Sequence, residues 1–544
     1  MERGLDWWRR AVVYQVYPRS FADSDGDGVG DLPGLIDHLD HLRGGPASLG
    51  VDAIWLSPIY PSPGRDLGYD VADHVSVNPL FGTLEDLERL IEAAHRRGLA
   101  IVLDLVLNHT SDRHPWFESS RQGRDGPYAD WYIWADPAGR DGRGRPRPPN
   151  NWVSFFGGSA WAWEPRRGQF YLHTFLSEQP DVNWRSRGLH DAQFDVARTW
   201  LARGVDGFRL DVFNCFLKHP ELPDDPLSGG FAWRAWDRQQ HSYEKDQPDL
   251  LTLLAEFRAL LDAAGAFSVG ELFTGGPELA ARYSAPNHPI FDWRLLEAPW
   301  QADELAQAID EREAAFGPAG WPTVVLSNHD QPRTASRLAR RGRPRGAVAK
   351  AAAALLLGLR GTAFVYYGEE LGLGDIRVPP WRIVDPPARR YWPLPLWWNR
   401  DGCRAPLPWS AGPGAGFSSW RPWLPLPADW RTRNVAVQAA DPTSVLGTFR
   451  RLIAARAASP ALGQGDFAWH VHGDGGVLAW WRRTGEERAL VALNTTGEPA
   501  AIALPREGDP WRLAVSTAGV EVRAGITGGL PLEPYEACFL LASS

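Results

Sequence analysis

Arg209 and Asp211 stand two residues apart in the run Gly204–Asn214 (GVDGFRLDVFN). Gly204 can end a helix, and Val205–Val212 reads as a short apolar strand. Strand alternation puts the guanidinium and the carboxylate on one face. On an outer face they would be an ordinary surface ion pair. At the C-terminal end of a buried strand they are a carboxylate kept ionised by its neighbour, the state a nucleophile needs. Two further acids hold similar positions: Glu271 near the end of AFSVGELF (Ala266–Phe273) and Asp330 at the end of SNHD (Ser327–Asp330). No phosphate-binding glycine loop or histidine-rich metal cluster accompanies them. Such a trio suits glycoside hydrolysis, which needs two carboxyl groups flanking the bond, about 5 Å apart when configuration is retained. Asp211 is then the nucleophile. Glu271, following an apolar strand that raises its pKa, is the proton donor. Asp330 binds sugar hydroxyls and distorts the ring, and His109 and His329 are neutral donors for the same hydroxyls.

A second polar pattern lies near the N-terminus, in DSDGDGVGD (Asp23–Asp31). Carboxylates fall at positions 1, 3, 5 and 9, with a glycine at 6 and the Val29 carbonyl at 7, the oxygen spacing of a calcium loop. Gly34 stands where an EF-hand has its glutamate, and no helix precedes, so the loop is not an EF-hand. Crowded acids repel without a cation. Asp23, Asp25, Asp27, Val29 and Asp31 are therefore read as ligands of a structural Ca²⁺ or Mg²⁺, against the plainer reading of a solvated turn. No organic cofactor is expected.

These residues need elements to hold them. Val12–Tyr17, Val51–Ile59 and Ala100–Leu107 read as strands, separated by helices over Gly34–Leu42 and Thr83–Arg97, the latter capped by Thr83 and stopped by Gly98. After Ser111 the rhythm breaks for about ninety tryptophan-rich residues, including a disordered-looking run Gly139–Asn151, and such a length calls for structure of its own. It then resumes with helix Leu189–Arg203, strand Val205–Val212, helix Leu250–Ala264, strand Ala266–Phe273, a weak strand Phe291–Leu295, strand Thr323–Leu326, helix Val348–Leu359 and strand Thr362–Tyr367. Eight alternating units predict an α/β chain folded as a (β/α)₈ barrel, with active residues at the C-terminal strand ends. A Pro/Trp-rich excursion, Leu371–Trp430, and a helix, Val445–Ala457, follow. Short alternating strands, such as Gly476–Arg482 and Arg488–Asn494, then predict an antiparallel β domain. The expected division is 1–110 with 178–460 for the barrel, 111–177 for an inserted subdomain and 461–544 for a C-terminal β-sandwich.

Composition narrows the partners. At 544 residues the chain exceeds one hydrophobic core, and a net charge of −9 does not attract nucleic acid or anionic membrane. Cys215, Cys403 and Cys538 form no disulfide framework, and neither a signal h-region nor a bilayer-length apolar run is present. The expectation is a soluble, cytoplasmic protein acting on a small molecule. The 28 tryptophans suit sugar faces as well as core packing.

Four segments, DLVLNHT (Asp104–Thr110), GFRLDVFN (Gly207–Asn214), GELF (Gly270–Phe273) and SNHD, resemble in order the signature regions of the α-amylase superfamily, glycoside hydrolase family 13. QPDVNW (Gln179–Trp184) and the Asp23 loop resemble its α-glucosidase and oligo-1,6-glucosidase branch. The resemblance implies Asp211 as nucleophile, Glu271 as general acid/base and Asp330 as transition-state stabiliser. It implies Tyr69, Asp70, His109, Arg209 and His329 around the nonreducing-end glucose, with Phe156 and Phe175 lining the pocket. It also implies that Arg400 pairs with Asp70 to close the pocket floor. The expected activity is retaining, exo-acting α-glucosidase action on short α-glucosides. Alternatives are oligo-1,6-glucosidase action, since Val212 follows the nucleophile, or a glucosyltransferase or isomerase acting on sucrose or trehalose. A non-catalytic interaction protein of the same fold is the remote alternative.

Overall fold

The computed structural model describes residues 4, 6–284, 289–394, 398–485, 487–507 and 510–542. The extreme ends of the first and last expected domains, residues 1–3, 5 and 543–544, lie outside these.

The β-branched and aromatic runs form the strands, in chain order β1 (Val12–Val16), β2 (Ala53–Leu56), β3 (Ala100–Leu105), β4 (Trp134–Ala135), β5 (Trp161–Glu164), β6 (Gln169–Leu172), β7 (Gly207–Leu210), β8 (Phe267–Glu271), β9 (Ile290–Phe291), β10 (Thr323–Val325) and β11 (Thr362–Tyr366). Eight of them make one parallel sheet in the order β10-β11-β1-β2-β3-β7-β8-β9. The sheet curls until its edges meet. Thr323 Oγ1 donates to Ile290 O (3.1 Å) and accepts from Asp292 N (3.4 Å) across the seam. Val13, Trp55, Val102, Val269, Phe291 and Phe364 fill the interior, which is a packed core rather than a channel. Helices wrap the outside. Leu84–Arg96 is capped by Thr83, whose side chain and that of Asp86 satisfy each other's backbone N–H groups.

Between β3 and β7 the chain builds its own small antiparallel sheet, β4-β6-β5, over a core of Trp152, Trp161, Phe170 and Leu172. The run Gly139–Asn151 is ordered, contrary to its composition. Asp141 accepts the N–H groups of Arg143 (2.8 Å) and Arg145 (2.9 Å), and Arg140 bridges Pro146. The sixth barrel strand is also shorter than the sequence indicates. It ends at Phe291 because the Asp292 carboxylate accepts Arg294 N (2.9 Å) and turns the chain into helix Arg294–Glu297. The helix expected over Gly34–Leu42 is two short ones, Leu32–Asp37 and Leu39–Leu42, broken at His38.

The C-terminal strands are β12 (Ala468–His472), β13 (Val477–Thr484), β14 (Glu487–Asn494), β15 (Ala500–Ala503), β16 (Trp511–Ser516), β17 (Arg523–Ile526), β18 (Gly529–Leu532) and β19 (Ala537–Ala542). Six form one antiparallel sheet and β15-β18 another, with Trp481, Leu490, Trp511, Ile502 and Leu532 packed in a shared core.

Candidate active site

The three acids expected to do chemistry sit at strand ends on one side of the barrel. Asp211 follows β7, Glu271 ends β8, and Asp330 lies five residues beyond β10. Register decides what meets them. β3 pairs with β7 so that Asp104 stands opposite Arg209. The buried Arg209 guanidinium serves three carboxylates at once. Its Nη1 donates to Asp104 Oδ1 (2.6 Å) and Asp211 Oδ1 (2.7 Å), and its Nη2 meets Glu271 Oε2. Gly270 makes room for this arrangement. A Cβ there would lie 2.6 Å from Ile290 and 2.8 Å from Phe213, the residue that packs under the nucleophile loop. Val212, next to Asp211, has φ +36°. A β-branched residue in that region is strained by about 1–3 kcal/mol, a cost tolerated where surrounding packing fixes it. Phe156 and Phe175 supply that packing.

From sequence, Arg209 is expected to favour an ionised Asp211. The structure differs. Burial drives Asp211 well above the usual carboxylate range. Arg209 pulls it back down, and the negative charges of Glu271 and Asp104 push it further up. Glu271 is likewise raised, first by burial and then by Asp330 and Asp104, with Arg209 opposing. One guanidinium cannot neutralise three buried carboxylates, so the cluster holds a proton, and Asp211 and Glu271 titrate as a pair. Asp330 goes the other way. Burial would raise it, but charged neighbours hold it well below the usual range. His329 is pushed down to about 3 by burial and is therefore neutral. The ionised partners of Asp330 are Arg404 (Nη2 to Oδ1, 2.7 Å) and Arg400 (Nη1 to Oδ1, 3.2 Å).

Arg400 corrects one expectation. Its Nη2 pairs with Asp66 Oδ1 (2.7 Å) and Asp385 Oδ1 (2.7 Å), not with Asp70. Asp70, directly after Tyr69, is fully buried and accepts from the preceding turn: Ser62 Oγ (2.7 Å), Arg65 N (2.8 Å) and Asp66 N (3.0 Å). Three local donors satisfy it, so it builds the loop that presents Asp66. Tyr69 and His329 behave as a relay. The Gln15 amide faces His329 Nδ1 (2.8 Å), which leaves the ring hydrogen on Nε2, 2.7 Å from the Tyr69 hydroxyl; that hydroxyl donates to Asp104 Oδ2 (2.9 Å).

These groups surround a cavity of about 540 Å³. Asp211, Glu271 and Asp330 line it, as do Tyr69, His109, Phe156, Phe175 and Arg400 from the sequence reading. Arg209 and His329 are completely buried, reaching the pocket only through the carboxylates and hydroxyl they hold. The pocket also uses Asp66, Gln179 and, on its outer side, an apolar wall of Phe155 and Phe273 beside Arg234. Behind it, Lys218 Nζ joins Asp181 Oδ2 (2.9 Å) to Asn108 Oδ1 (3.0 Å), tying the inserted sheet to the end of β3.

In the N-terminal loop, Asp23, Asp25 and Asp27 offer oxygens within 4.8 Å of one another, an all-oxygen set that fits a hard cation. Burial and the charges of Asp25, Asp23 and Asp31 raise Asp27. Asp31 stands apart from this trio. Its Oδ1 caps the following helix at Gly34 N (2.6 Å), and its Oδ2 accepts Ser24 N (2.9 Å).

Asp104, Asp66, Asp385 and Arg404 were not singled out from sequence. Asp104 had a signal, since it opens the DLVLNHT run and shares strand parity with Arg209 across β3 and β7. Asp66, four residues from Asp70, and Asp385, in the irregular excursion, had none that spacing could supply.

Comparison with known proteins places the chain firmly. The model of the α-amylase catalytic domain matches residues 15–465. A probable α-glucosidase from Rhizobium meliloti (strain 1021) is 44% identical over 523 residues, covering 93% of this chain and 92% of its own. An oligo-1,6-glucosidase from Parageobacillus thermoglucosidasius is 35% identical, with 92% of each chain covered. Among solved structures, the α-glucosyl transfer enzyme XgtA superposes with a TM-score of 0.90 at 42% identity over 99% of both chains. The trehalulose synthase MutB from Pseudomonas mesoacidophila MX-45 superposes at 0.87 and 34%, covering 99% of this chain and 100% of its own.

Proposed function

The chain belongs to the α-amylase family of glycoside hydrolases, and from that premise we propose that it is a retaining, exo-acting α-glucosidase. The observation that carries this is the carriage of Asp211 and Glu271 on the two terminal nitrogens of one buried guanidinium, both facing the pocket. Two carboxyl groups sharing one guanidinium are held close, as a double displacement requires, its acids standing roughly 5 Å apart. Reaction proceeds from the form of the coupled pair in which Glu271 holds the proton and Asp211 is ionised. Asp211 attacks C1 of the terminal glucosyl unit while Glu271 protonates the leaving oxygen, giving a β-linked glucosyl ester. Glu271, now ionised, takes a proton from water, whose oxygen attacks C1 from the opposite face and returns α-glucose. Asp330, kept charged by Arg400 and Arg404, accepts hydrogen bonds from the ring hydroxyls as positive charge grows at C1. The Arg400–Asp66 pair in the pocket wall supports exo action, because it leaves the chain end, rather than a through-going glucan, as the group that fits.

Glucosyl transfer or isomerisation is the second reading. It changes only the second half-reaction, and the apolar Phe155–Phe273 wall favours it by presenting a surface for an acceptor other than water. The structural likeness to XgtA and MutB supports it as well. Release of p-nitrophenol from its α-glucoside by the wild type, abolished in Asp211→Asn, tests the activity. Separate incubation with maltose, isomaltose, sucrose and trehalose, with every product resolved by chromatography, tests linkage and transfer. Wild-type inactivity on all of these would overturn the assignment.

The reading includes a structural Ca²⁺ held by Asp23, Asp25 and Asp27 with the Val29 carbonyl, contributing charge compensation to a loop that packs on residues 417–423 (Asp23 N to Phe417 O and Trp423 N to Gly28 O, each 2.9 Å). It also includes a cytoplasmic location, supported by three buried, unpaired cysteines. No described helix is long and apolar enough to cross a membrane.

A further inference from the structure

The loop between β7 and the helix Leu250–Ala263 carries a second polar cluster, separate from the catalytic acids and from the Asp23 loop. Asp225, His241 and Glu244 are 2%, 8% and 5% exposed, and one ligand atom from each lies within 4.8 Å of the others. Asp225 Oδ1 accepts the N–H groups of Ser242 (2.9 Å) and Tyr243 (3.3 Å), but its Oδ2 is buried with no hydrogen-bond partner. Glu244 Oε1 meets His241 Nδ1, and its Oε2 is likewise buried without a partner. His241 Nε2 lies 2.8 Å from Trp236 O. A carbonyl can only accept, so Nε2 carries a hydrogen and Nδ1 is the ring atom that faces the carboxylates. The result is an imidazole nitrogen and two carboxylates converging, with one buried oxygen of each carboxylate left without a partner. Burying such a set without a compensating cation is costly.

We propose that Asp225, His241 and Glu244 form a binding site for a first-row divalent metal ion of the Zn²⁺ or Mn²⁺ class. The donor set decides the class. Imidazole plus carboxylates suits these ions, whereas Ca²⁺ takes oxygen ligands alone. The Nε2–H to carbonyl bond is the orienting contact that ligating histidines ordinarily make. The site bears on the pocket. The His241 ring stacks on Trp236 at 3.6 Å, and Trp236 sets its edge against Phe155 (5.3 Å) and Phe273 (5.8 Å), the apolar wall. An ion there fixes the loop that backs this wall.

The test uses the full chain carrying Asp25→Asn and Asp27→Asn, which weaken the oxygen-only loop. The protein is stripped with chelator, loaded with Zn²⁺, desalted and analysed for metal; Co²⁺ loading is followed by visible absorption. The expected result is stoichiometric Zn²⁺ that is lost on adding Asp225→Asn or Glu244→Gln. Low-coordinate Co²⁺ bands should appear in the parent and vanish in the same variants. Glu244→Gln preserves volume, and circular dichroism verifies its fold. Metal-free parent protein would mean that the two carboxyls share a proton instead, and would overturn the proposal. So would Zn²⁺ retained undiminished by both variants, or a purely six-coordinate Co²⁺ spectrum.

Discussion

Asp66→Asn and Asp70→Asn, four residues apart, should fail in different ways. Asp66 Oδ1 accepts from Arg400 Nη2 at 2.7 Å with side chains only 7% and 10% exposed. Removing its charge does not strand the arginine, which keeps Asp385 and Asp330. The loss is one charge-assisted hydrogen bond, about 1.5–3 kcal/mol. Spent on positioning the transition state, that lowers kcat/KM about 10- to 150-fold. Asp70 has two oxygens and three donors, Ser62 Oγ and the N–H groups of Arg65 and Asp66. An asparagine must turn its own N–H₂ toward one of them, leaving a buried clash worth about 1–3 kcal/mol of stability. The assay is kcat/KM on p-nitrophenyl α-glucoside, corrected for active enzyme, beside thermal melting. Asp66→Asn should lose activity with little change in melting, and Asp70→Asn should melt earlier while the folded fraction stays within a few-fold of wild type. An inactive Asp70→Asn with unchanged melting, or a fully active Asp66→Asn, would refute the placement of these two carboxylates.

Other consequences can be read in single experiments. Asp104 raises both Asp211 and Glu271, so Asp104→Asn should move both limbs of the kcat/KM pH profile to lower pH; a shift to higher pH would contradict the shared cluster. His329 and His74 are kept neutral by burial, with pKa values of about 3 and about 4, against about 6.5 when unfolded. The unfolded chain then binds more protons below pH ~6.5, so stability is full above that value and falls as pH drops toward about 4. Melting temperature measured from pH 7 to 5 should decline, less steeply in His74→Asn. EDTA should lower the melting temperature by a few degrees, consistent with about 2.7 kcal/mol for an ion present at a hundredfold over its Kd, and Asp25→Asn with Asp27→Asn should reduce that response.

The barrel is readable because short apolar runs, most with β-branched or aromatic residues, alternate with helical stretches. Thr83 as a cap and Gly98 as a stop follow from local chemistry alone. The ends of Asp211, Glu271 and Asp330 follow once the alternation is counted. What sequence could not give was register and partner choice. Asp70 and Asp66 are equally acidic and nearly adjacent, and only the turn built by Ser62 and Arg65 decides which one faces Arg400. The Arg209–Asp211 spacing is visible in the chain, but Asp104 and Glu271 arrive on other strands. Their charges, with burial, reverse the expected direction of the Asp211 pKa. Phe291–Leu295 misleads for the opposite reason: an apolar run suits a strand, and one Asp292 side chain ends it.

The central claim is that Asp211 forms a bond to the anomeric carbon, and trapping that bond tests it most directly. The enzyme would be incubated with 5-fluoro-α-D-glucosyl fluoride, quenched with acid, digested and sequenced by mass spectrometry. The account predicts a fluoroglucosyl adduct on the peptide holding Arg209–Asn214, localised to Asp211 and absent from Asp211→Asn. An adduct on Glu271 or Asp330, or turnover with inverted configuration and no adduct, would contradict it.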